Sequence, residues 1–72
     1  MMPEMIPTPE SSTVVEIGYD PALEELYVTF EGSGPYAYSN VPAFVWDEMK
    51  MASSKGQFVH ARLRGAYLYR RL

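Results

Sequence analysis

The 72-residue chain contains no cysteine, a single histidine, no base before Lys50 and no acid after Glu48. The missing thiol excludes disulfides and thiolate metal ligands, and it fits a reducing compartment. With His60 as the lone imidazole, His/Cys zinc clusters and cysteine–histidine nucleophiles are excluded within one chain. No apolar run approaches the roughly 20 residues that a membrane-crossing helix needs. Met1–Glu10 lacks the basic region and hydrophobic stretch of a signal peptide, so the expected location is cytoplasmic, with no membrane partner.

The charge that is present is segregated. Residues 1–48 hold nine carboxylates, residues 49–72 hold all six Lys and Arg side chains, and the net charge is −3. An acidic overall balance therefore conceals a basic end suited to a phosphate backbone or an acidic protein face. A hydrophobic content of 47% supports a compact core rather than a disordered acidic chain. Six tyrosines and one tryptophan supply much of it; such rings close a small core while their polar edges reach water, and they also serve as contact surfaces.

Pro3, Pro7 and Pro9 make residues 1–10 a flexible or extended lead-in, which leaves a single domain over 11–72. Val15, Ile17 and Tyr19 alternate with Glu16 and Gly18 as in a half-buried strand, with Gly18 marking a bend or a close backbone approach. Leu26, Val28 and Phe30 form the core face of a second strand. Gly32-Ser33-Gly34 then forms a hairpin turn into a short strand whose Tyr36 and Tyr38 share a face. Beyond Asn40, placed as a helix cap, the period changes to that of a helix: Val41, Phe44, Val45, Met49 and Ala52 make an apolar stripe, and Asp47 and Lys50 point outward. Trp46 lies off this stripe, either packed against a strand edge or displayed as an anchor. Ser54-Lys55-Gly56-Gln57 has the spacing of a capping box ahead of a short helix through Phe58–Leu63, which Gly65 stops. Residues 66–72 suit either a last strand or a helical extension.

Catalytic chemistry finds little to work with. Asp20, Glu24 and Glu25 read as a solvated acidic turn, because a hard cation needs several converging oxygens. Asp47 and Glu48 are adjacent on a helix and point apart, which does not suit a paired acid and base. Gly32-Ser33-Gly34 lacks the longer glycine pattern and the Lys–Ser/Thr pair of a phosphate loop. The basic end has more promise: Lys55, Arg62, Arg64, Arg70 and Arg71 are phosphate-contacting donors, His60 suits an anionic contact, and Tyr36, Tyr38, Tyr67 or Tyr69 suit base stacking where exposed. The same residues also read as a solvated surface around buried Leu63 and a charged terminus.

In chain order, Ile17-Gly18-Tyr19-Asp20, Leu26-Tyr27-Val28-Thr29-Phe30, Tyr36-Ala37-Tyr38, Val41-Pro42 and Ala52-Ser53-Ser54-Lys55-Gly56-Gln57-Phe58 resemble the KTSC domain, over about Val14 to Tyr67. That family is named for a module at the C-terminus of some lysyl-tRNA synthetases and also occurs as small stand-alone bacterial and phage proteins. Leu63-Arg64-Gly65-Ala66-Tyr67 is similar to the family's ending, whereas His60 stands where asparagine is common. The resemblance implies a small α+β domain and brings no active site; the synthetase association suggests RNA by analogy.

The expectation is thus an α+β fold, a small antiparallel β-meander packed with one longer and one short helix. The expected function is a noncatalytic binding module without cofactor or metal, taking RNA on its basic C-terminal surface. Tyr36, Tyr38, Trp46, Lys55, His60, Arg62, Arg64, Arg70 and Arg71 are the candidate contacts. The alternatives are docking on an acidic protein surface, with Trp46 or a tyrosine as anchor, and self-association as a structural module.

Overall fold

The computed structural model describes residues 3–72. Five antiparallel strands run in sequence order: β1 (Ile6–Pro7), β2 (Val14–Asp20), β3 (Glu25–Phe30), β4 (Gly34–Tyr38) and β5 (Tyr69–Arg71). Between β4 and β5 lie α1 (Ala43–Met51), α2 (Lys55–Phe58) and a π-helical turn, Val59–Leu63, that continues α2. This is the expected α+β meander, and the helix expected to be the longer, α1, has nine residues. Short connections join β2 to β3 and β3 to β4, and Gly32 and Gly34, both with φ near +80° (76° and 80°), shape the β3–β4 turn.

The sheet's helix-facing side carries the core. Val14, Ile17, Leu26, Val28 and Tyr38 from the strands meet Val41, Val45, Met49, Phe58, Val59 and Leu63. Alternation assigns these partners, because side chains two apart on a strand share a face and cross-strand register partners do too. One position departs from the simple alternation: Val14, not Val15, is buried (1% against 42% exposure). A register shift between Val14 and Glu16 is the cause, since the extra residue of a bulge turns Val15 outward.

The opposite side is covered in part by the N-terminal segment. A Cβ on Gly18 would run into Met5 Sδ and lie 3.2 Å from the Glu4 carbonyl, so this glycine permits the close approach its position suggested. Residues expected to form a lead-in thus include a two-residue edge strand, with Ile6 opposite Ile17. Thr8 anchors its end: the buried hydroxyl donates to the Val14 carbonyl at 2.6 Å.

Helix α1 begins later than expected. Asn40 does not cap it; this residue takes a left-handed conformation (φ 60°), and Pro42 occupies the cap position with no side-chain hydrogen bond. The physical reason is Pro42 itself, which disfavours the helical region for the residue before it; the Val41 amide donates instead to the Glu24 carbonyl at 2.8 Å. Val41, Val45 and Met49 form the buried line, while Phe44 is 61% exposed. Successive helical residues are about 100° apart, and in a helix of nine residues against one sheet only a narrow stripe is covered. Ser54 caps α2 as expected, its hydroxyl oxygen accepting from the Gln57 amide at 3.2 Å. The second helix runs from Lys55, directly after this cap, and widens at Val59–Leu63, where the Arg64 amide donates to the Val59 carbonyl at 2.9 Å. Phe58, Val59 and Leu63 are buried there and Ala61 is exposed. Gly65, at φ 79°, turns the chain out of the helix, and residues 69–71 take the strand alternative.

Candidate functional site

Strand β5 decides where the basic end goes. It pairs with β4 so that Tyr69 faces Tyr38, Arg70 faces Ala37 and Arg71 faces Tyr36. Tyr36, Tyr38, Tyr69 and Arg71 therefore share the helix-facing side of the sheet, and Arg70 projects from the other side. Beyond the packed core this side carries a row of rings. Phe30 meets Tyr36 edge-on at 5.5 Å between centroids, Tyr36 lies 5.5 Å from Tyr69, and Tyr69 lies 5.7 Å from Tyr38. Such offset and edge contacts are favourable for aromatic pairs and hold the row in place.

The row floors an open cleft of about 370 Å³ whose other wall comes from the second helix, through His60 and Arg64. Exposure differs sharply along it: Tyr38 is 4% exposed and Tyr69 is 59% exposed. Burial pushes the Tyr38 hydroxyl above the usual phenol range, the neighbouring Tyr69 adds to the rise, and Arg64 lies near enough for its charge to oppose it. Among the described residues, no carboxylate lines the cleft, although the chain carries nine.

The remaining cations are engaged elsewhere. Lys55 Nζ donates to the Ala52 carbonyl at 2.6 Å and the Lys50 carbonyl at 3.3 Å, closing the C-terminal end of α1. Lys50 sits 3.4 Å from Asp47 and 5.3 Å from the Trp46 ring centre. Arg62 pairs with Glu48 at 2.5 Å and lies over the Phe58 ring at 5.2 Å. Arg70 holds both oxygens of Glu25, at 2.5 and 3.3 Å. The Tyr27 hydroxyl donates to the same carboxylate at 2.7 Å. These two donors, Arg70 first, hold the Glu25 carboxyl below its ordinary value, while burial and the adjacent carboxylate push the Tyr27 hydroxyl up to about 12.

The expected single field of basic groups is therefore divided. Arg64, Arg71 and His60 make no ion pair among the described residues, whereas Arg62 and Arg70 are each neutralised by an acid. Trp46 stacks on Tyr19 at 5.7 Å and 13°, half-buried, which is the packed alternative rather than the displayed one. Tyr19 in turn donates its hydroxyl to the Val41 carbonyl at 2.6 Å. Tyr36 is half-buried in the row, Tyr38 is closed over, and the accessible ring face belongs to Tyr69. Period-two spacing pairs Tyr69 with Tyr67, but Tyr67 precedes the strand and packs against the core. The signal that marks Tyr69 is its register with Tyr38, which depends on the pairing of distant strands.

Comparison with known proteins places these features in a family setting. The model of the KTSC domain matches residues 10–67. A crystal structure of a KTSC domain protein from Yersinia pestis superposes with a TM-score of 0.91 at 33% identity, covering 96% of each chain. A protein of Tsukamurella paurometabola is 43% identical over 51 residues, 71% of this chain and 76% of its own. A lysine–tRNA ligase of a Nostoc species is 34% identical over 64 residues, 89% of this chain. The chain spans 11% of that ligase's length.

Proposed function

The chain belongs to the KTSC domain family, and on that premise we propose that it is a small noncatalytic module that binds RNA through the cleft side of its sheet. One observation carries the reading: Arg64 and Arg71, which have no acidic partner among the described residues, lie with His60, Tyr69 and Tyr36 on a side whose cleft no carboxylate lines. Unpaired guanidinium groups beside an exposed ring supply the two contacts used on single-stranded nucleic acid, phosphate pairing and base stacking. The lysine–tRNA ligases that contain a similar segment lend support, since by their name they act on a tRNA. Arg62 and Arg70 are set aside from the contact surface, because recruiting either one first breaks an ion pair.

Fluorescence anisotropy with labelled single-stranded and double-stranded RNA across increasing salt tests this reading. Two arginine–phosphate contacts predict that log K falls with log salt at a slope of about −1.4 on single strands, taking about 0.7 per contact. Absence of association at low salt rejects it. Docking on an acidic protein surface with Trp46 as anchor has less support, because that ring is already stacked on Tyr19 and capped by Lys50. The exposed β5 edge leaves self-association open to a simple check: a monomeric mass at high protein concentration removes it.

A further inference from the structure

We infer that the cleft seats a single unpaired base, stacked on Tyr69, with the flanking phosphates held by Arg64 at one end of the aromatic row and Arg71 at the other. This rests on the RNA reading above and narrows it to the form of RNA and to its contact geometry. The size of the cleft is the first argument. At about 370 Å³ it lies at the small end of the roughly 300–1,000 Å³ range of small-molecule sites, a size that suits one nucleotide.

The position of the cations is the second. Arg71 stands opposite Tyr36 in the β4–β5 register, and Tyr69 stands opposite Tyr38, the ring that Arg64 approaches from the helical side. Arg64 thus lines the cleft with Tyr69, and Arg71, just outside that lining, follows Tyr69 on the same face of β5. A strand advances about 3.4 Å per residue, which sets Tyr69 and Arg71 about 7 Å apart on the same face. A base inside a duplex has both faces covered by its neighbours, so it has none to offer Tyr69; an unpaired base does. The Tyr69 ring has a free face because β5 is the last strand of the sheet and every residue in it is exposed.

Three proteins test the assignment: the full chain, Tyr69→Leu, which keeps apolar bulk at an exposed edge position, and Arg70→Ala on the opposite face. Each is titrated with a short single-stranded RNA carrying one 2-aminopurine, with the same RNA annealed to its complement, and with polyglutamate as a competitor of equal charge. The expected result is tighter binding of the single strand than of the duplex, quenching of 2-aminopurine by the full chain, and a loss of about five- to 150-fold with Tyr69→Leu, the range for removing one stacking ring. Arg70→Ala is expected to bind as the full chain does. If the duplex binds as tightly and Tyr69→Leu has no effect, the single-base seat is rejected while RNA binding by charge stands. If polyglutamate competes as well as RNA, charge alone is being read and the seat is rejected. If no RNA binds at low salt, both readings fall together.

Discussion

Arg70 and Arg71 are neighbours in the chain and lie on opposite faces of the sheet. On one face Arg70 is fixed by Glu25, which also accepts from Tyr27, and the N-terminal segment lies over Gly18. On the other, Arg71 shares its surface with Tyr36, Tyr38 and Tyr69 and has no acidic partner among the described residues. The same residue type is therefore structural on one side and available on the other. An exposed ion pair contributes little to stability, about 0–1 kcal/mol, but it removes the cation from competition for other anions. Position on the pleat, not residue type, separates the two roles.

The strongest way to break the comparison is to remove the core that supports both faces. Leu26 is fully buried in β3, so Leu26→Ala is expected to lose about 2–5 kcal/mol in urea unfolding and to impair both faces at once. A loss under about 1 kcal/mol would show that this strand does not hold them together. Gly18→Val acts on one face alone: its Cβ meets Met5 and the Glu4 carbonyl, and the expected penalty is about 1–3 kcal/mol. Amide exchange should rise in β1 and β2, and RNA affinity, which depends on the other face, should stay unchanged for the folded fraction.

A finer test exchanges the two neighbours. Arg71→Ala should reduce the salt slope for single-stranded RNA by about 0.7, and Arg70→Ala should leave it as it was. Equal slopes for the two variants would erase the distinction between the faces. The smallest expected effect concerns acid stability. The Glu25 carboxyl titrates below its ordinary 4.5 in the folded protein, so its contribution is complete above that value and is lost as pH falls through the lowered one. Glu25→Gln should therefore flatten the acid side of a Tm–pH profile, modestly, because the Arg70 partner is more than half exposed and solvent screens the pair. A profile identical to that of the unsubstituted chain would remove Glu25 as the origin.

Much of the fold is legible from local pattern. The period-two runs mark β2, β3 and β4, the Gly32-Ser33-Gly34 turn joins two of them, Ser54 caps α2, and Gly65 turns the chain out of the helix. Each of these depends on forces acting within a few residues. The errors have equally local causes that composition does not reveal: a bulge at Val15 moves the buried position to Val14, and Pro42 delays α1 and releases Asn40 from capping. The candidate site was less legible. Arg62 and Arg70 carry the same chemistry as Arg64 and Arg71, and nothing in their spacing separates the neutralised from the free.

By itself the sequence determined that cations and carboxylates occupy different stretches of the chain, that the tyrosines recur at strand spacing, and that cysteine and histidine chemistry is absent or minimal. Only the tertiary structure decided which cations remain open. The reason is that charge neutralisation acts through space: Glu25 reaches Arg70 across 45 positions of chain, and this contact exists only once β5 has paired with β4. The pleat then sends Arg71 to the opposite face, beside the rings.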